Sequence, residues 1–72
     1  MTNDKRLREL LAYAAICFEN MTSPFETMHL SKMNVTLDEC GDLSESIAGF
    51  LQMYISKQEL EVAEALFKET QE

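Results

Sequence analysis

Few residues in this chain could do covalent or metal chemistry, and their spacing decides which chemistry is open to them. Glu26 and His29 form a Glu-x-x-His match. On a helix that spacing puts a carboxylate and an imidazole on one face, as in di-iron carboxylate bundles. Such sites also take an inward-facing glutamate from each of two further helices. Here Glu19 falls near the end of the first predicted helix, and the acids of the third lie off its apolar stripe. Glu26 also has a competing part as the acid of a helix-capping box. Cys17 and Cys40 could join His29 in a zinc site or a Cys–His pair, but the tight C-x-x-C pairs of zinc sites are missing. A nucleophilic cysteine needs an electropositive setting, and Cys40 directly follows Asp38 and Glu39. The sequence therefore points away from catalysis and from a bound metal or cofactor. A small metal-binding bundle built on Glu26 and His29 is the chemical alternative.

Gly41-Asp42-Leu43-Ser44 invites one comparison. Together with the chain's size, acidity and four-helix pattern it resembles an acyl carrier protein. That family attaches its prosthetic group to a serine directly after an aspartate and before a leucine, at the start of its second helix. In this chain Ser44 stands one position too late and two turns into a predicted helix. The departure falls on the attachment residue itself, so no carrier function follows.

The elements that hold these residues are helices. Three capping boxes open apolar-periodic stretches: Ser23 with Glu26, Thr36 with Glu39, and Ser56 with Glu59. Thr2, Asn3 or Asp4 can cap a first helix over 4–20, whose main stripe is Leu7, Leu10, Leu11, Ala14, Cys17, Phe18 and Met21. Tyr13 and Ile16 widen it, leaving Arg8, Ala12, Ala15 and Glu19 for an outer face. A short helix over 24–32 turns Phe25, Met28 and Met33 inward. The third, over 37–55, carries Cys40, Leu43, Ile47, Phe50 and Tyr54, with Gly41 and Gly49 inside it. The fourth, over 56–70, follows directly with Leu60, Ala63 and Phe67. Strand alternation and hairpin turn pairs are missing. Met53 falls off the third stripe and is expected at the surface, whereas Met21, Met28 and Met33 fill the core.

Length and charge bound the function. The chain has 72 residues, enough for one domain with a modest core. Its net charge of −7 argues against direct contact with nucleic-acid phosphates. Residues 1–35 hold four acids and four bases, whereas residues 36–72 hold nine acids against Lys57 and Lys68. The nine apolar residues from Leu10 to Phe18 follow Lys5, Arg6 and Arg8, in the manner of a secretory signal, but Glu9 interrupts the boundary and no small-x-small cleavage site follows. A helix packed on most sides explains the run better. No apolar run is long enough to span a membrane, and two cysteines without a framework suit a reducing, cytoplasmic setting.

These readings converge on an all-α bundle of three substantial helices and one short one, in a small cytoplasmic interaction module that is not an enzyme. Its partner is another protein, one with a basic surface. The partner-binding acids are Asp38, Asp42 and Glu45 on the third helix and Glu61 and Glu64 on the fourth. A homo-oligomer is expected through the apolar excess of the first helix at Leu10, Tyr13, Ala14, Ile16 and Cys17. A narrower alternative is an acidic inhibitor, encoded by a phage or mobile element, that blocks the basic nucleic-acid-binding groove of a host defence protein.

Overall fold

The computed structural model describes residues 3–28, 33–48 and 55–71. Among these residues the chain forms four helices and no strand: α1 (Asp4–Glu19), α2 (Pro24–Met28), α3 (Leu37–Ala48) and α4 (Lys57–Gln71). Asn3 starts α1, its side-chain oxygen accepting from the Arg6 N–H at 2.8 Å. The Thr36 and Ser56 boxes form as the sequence predicts. The Thr36 N–H donates to Glu39 Oε1 at 3.0 Å while the Glu39 N–H donates back to the Thr36 hydroxyl at 3.2 Å. Ser56 and Glu59 repeat the pair at 3.0 and 3.2 Å. The Ser23 box does not form. Instead the Thr27 hydroxyl donates to the Ser23 carbonyl at 2.8 Å.

α1 is the central element, with α2, α3 and α4 each packed against it. α4 runs parallel to it: Arg8 bonds Glu59 near the start of both helices, and Tyr13 meets Phe67 further along, ring centroids 6.3 Å apart at 62°. Edge-on ring pairs of this kind stabilise by roughly 0.5–1.5 kcal/mol beyond the area they bury. Leu10, Tyr13 and Cys17 are fully buried, with Leu43 from α3 and Ala63 and Phe67 from α4 completing the core.

The buried arc of α1 is centred on Tyr13, about a quarter-turn from the stripe the periodicity suggests, at 100° per residue. Ala12, expected outside, has no exposed surface, whereas Phe18 is 53% exposed and Met21 96%. Periodicity finds the apolar side of a helix with one neighbour; α1 has three. Met21 also lies beyond the helix, in its C-terminal cap. Asn20 ends α1, Met21 turns left-handed at φ 57°, and the N–H groups of Met21 and Thr22 bond the Phe18 and Cys17 carbonyls at 3.0 and 2.9 Å. That is a Schellman cap with a methionine where glycine is usual.

One other helical boundary differs from expectation: Ile55, expected to end the third helix, is not helical, and Ser56 caps α4 as its box predicts. The expected continuation of the second helix over 29–32 lies outside the described residues. His29, Gly49, Phe50, Met53 and Tyr54 lie outside the described residues. No described helix is long and apolar enough to cross a membrane.

Candidate interaction surfaces

The two arginines of α1 are bound to the capping boxes. Arg6 Nε donates to Glu39 Oε2 at 2.7 Å, and its Nη2 donates to the Met33 carbonyl at 2.6 Å. Arg8 Nη2 donates to Glu59 Oε1 at 2.8 Å. Each box glutamate therefore closes its own helix start and also receives an arginine from α1. The carboxylates sit between two positive ends, a helix N-terminus and a guanidinium, which favours the charged form. The Arg6 hydrogen bond, then the Thr36 N–H, hold the Glu39 carboxyl at about 2, well below the usual 4.5. The Ser56 N–H foremost, with Arg8 assisting, lowers Glu59 as well. Arg6 and Arg8, two of the three basic residues that resemble the start of a secretory signal, thus fix the N-termini of α3 and α4 to α1.

With Glu39 turned inward, Asp38 and Glu45 are exposed and Asp42 is half-buried beside them. Asp38, Asp42 and Glu45 share one shallow open depression with Leu37 and Gly41. Leu37, the first helical residue, is 84% exposed. Asp38 and Glu45 make no hydrogen bond or ion pair within the described residues. Among the described residues nothing lies within 4 Å of where a Gly41 side chain would begin, so none of them uses its small size to approach. α3 carries no base.

The acids assigned to α4 are not part of that surface. Glu61 and Glu64 are exposed, but α4 packs on α1, and Glu64 is met by Lys68 at 3.4 Å within its own helix. The residues expected to form a subunit contact are placed differently again. Leu10, Tyr13 and Cys17 have no exposed surface, Ala14 has 2% and Ile16 6%, so all five are covered inside a single chain. Their burial has the same cause as the shifted arc: three helices around α1 absorb apolar surface that a single neighbour would leave bare.

Among the described residues, those with chemical potential do not converge. Cys17 and Cys40 are both free thiols. Burial pushes the Cys17 thiol up, the opposite of an activated nucleophile, and Thr27 beside it opposes this only in part. Glu26 is exposed, and no group of three potential metal ligands occurs among the described residues. Sequence reasoning missed a concave site between α1 and α4. A cleft of about 220 Å³ is lined by Lys5 and Glu9 of α1, by Met33, and by Gln58, Glu59, Val62, Ala63 and Leu66 of α4. Its apolar floor includes Met33 and Ala63, and Val62 on its lip is 56% exposed. Its sequence signal is Val62 and Leu66, apolar residues that flank the α4 stripe of Leu60, Ala63 and Phe67. No family model, curated protein or solved structure matches the chain.

Proposed function

We propose that this protein is a non-catalytic interaction module that binds a basic surface of another protein through the outer face of α3. One observation carries the reading: Leu37, Asp38, Gly41, Asp42 and Glu45 share an open surface from which Glu39 alone is withdrawn. An apolar anchor ringed by like charge suits a partner pocket rimmed by lysine or arginine. The leucine supplies desolvated contact and the acids steer encounter. Gly41 fits the same reading, because it leaves the helix backbone open to close approach in the middle of that face. The free thiols suit a reducing compartment such as the cytoplasm.

The narrower role, competition with nucleic acid for a basic groove, gains nothing specific. Its second row of acids on α4 belongs to a different surface.

Capture from lysate of the source cells tests the proposal, with wild type compared against Leu37→Ala and against Asp38→Asn/Asp42→Asn/Glu45→Gln. The expected result is a protein held by wild type at low salt, released as ionic strength rises, and lost from both variants. Captured proteins retained equally by all three chains would return the α3 face to an ordinary solvated surface.

A further inference from the structure

We infer that the cleft between α1 and α4 is a contact between two copies of this chain. In this contact the α1–α4 faces stack across a two-fold axis, with α1 antiparallel to α1 and α4 antiparallel to α4. The cleft shares no residue with the outer face of α3, so the inference stands apart from the function proposed above.

An isologous contact must be complementary to itself, since whatever one copy offers the other must receive. The cleft meets that condition in shape. Val62 rises from its lip, 56% exposed, beside a floor that includes the buried Met33 and Ala63. A second copy supplies the knob for the first copy's hollow and receives one in return.

The rim meets the condition in charge. Lys5 and Glu9 both line the cleft, one helical turn apart. Lys5 has no ion pair within the described residues. Among the described residues Glu9 reaches only Arg6, at 3.6 Å, while the short bonds of that guanidinium go to Glu39 and the Met33 carbonyl. When two α1 helices lie antiparallel, Lys5 of each copy stands opposite Glu9 of the other, and the pair is made twice. A cleft shaped for a small anion would offer Lys5 alone, inside a molecule whose net charge is −7.

The size of the face sets the strength. Two adjacent helices, each about 22–24 Å long and about 10 Å across, offer roughly 500 Å² per copy, at the small end of specific interfaces. The dimer should therefore form and dissociate across micromolar to sub-millimolar concentrations.

Sedimentation equilibrium over that range tests the inference on the full chain. Wild type should shift from one protomer mass to two. Val62→Lys should weaken association at least about ten-fold by placing a charge in an apolar centre, with its helical circular dichroism unchanged because Val62 is already exposed. Lys5→Glu alone should weaken it roughly three- to ten-fold, since an exposed pair is lost twice, and Lys5→Glu/Glu9→Lys should restore it. A wild type of one protomer mass throughout would overturn the inference. So would a dimer indifferent to Val62→Lys, or a double variant no tighter than the single one.

Discussion

Met21 and Glu39 show most directly how single residues govern this chain. Met21 holds a left-handed conformation that costs a residue with a Cβ about 1 kcal/mol or more, and its side chain recovers little by burial at 96% exposure. Met21→Gly should therefore stabilise the fold by roughly 0.5–1 kcal/mol, the extra freedom of glycine in the unfolded chain cancelling part of the gain. Urea unfolding monitored by circular dichroism measures this. A loss of stability would mean that the methionine makes contacts the cap does not reveal. Glu39 gives a pH signature. Its carboxyl falls from the usual 4.5 to about 2 on folding, because the native state favours the charged form. Its contribution is therefore complete above about 4.5 and is lost as pH drops toward about 2. Glu39→Gln keeps an acceptor for the Thr36 N–H but gives Arg6 no charge. It should cost about 1 kcal/mol at neutral pH and flatten that acid limb. An unchanged acid limb would remove the Arg6–Glu39 pair from the account.

At the scale of elements, Gly41 separates what folding needs from what binding needs. Glycine inside a helix costs up to about 1 kcal/mol against alanine, and here no described residue lies where a Cβ would go. Gly41→Ala should raise stability by about 0.5–1 kcal/mol and weaken capture of the α3 partner. A stabilised variant that binds fully would show the glycine to be incidental to that surface. The helix starts were the most legible part of the sequence, because a capping box is local chemistry: Thr36 with Glu39 and Ser56 with Glu59 need only three residues of spacing. Ser23 with Glu26 carried the same signature and failed, and the Thr27 hydroxyl bonds the Ser23 carbonyl there instead. The facing of α1 was half-legible. Leu10, Ala14 and Cys17 pointed inward as expected, but burial of Ala12 depends on how many helices surround α1, which no local pattern encodes. The pairing of Arg6 with Glu39, 33 residues apart, and of Arg8 with Glu59, 51 apart, was not legible at all. Both arginines read equally well as solvated charge.

For the whole molecule, the fold sorts the acids into those that hold it together and those that face outward. Glu39 and Glu59 are drawn to α1, whereas Asp38, Asp42 and Glu45 remain on one open face beside Leu37. The apolar excess of α1 is used internally, which leaves the α3 face as the principal candidate for partner recognition and the α1–α4 cleft for self-association. The sequence named Asp38, Asp42 and Glu45 as one group because helical spacing alone places them together. It grouped Glu61 and Glu64 with them because it could not say that α3 and α4 each pack on α1. The central claim, that the α3 face is where a partner binds, is tested most directly by carboxyl footprinting. The protein alone and the complex it captures would be treated with a carbodiimide and an amine, and modification read at each acid by mass spectrometry. Protection should centre on Asp38, Asp42 and Glu45, with Glu61 and Glu64 modified as in the free protein. Protection of the α4 acids instead, or of none of the five, would contradict it.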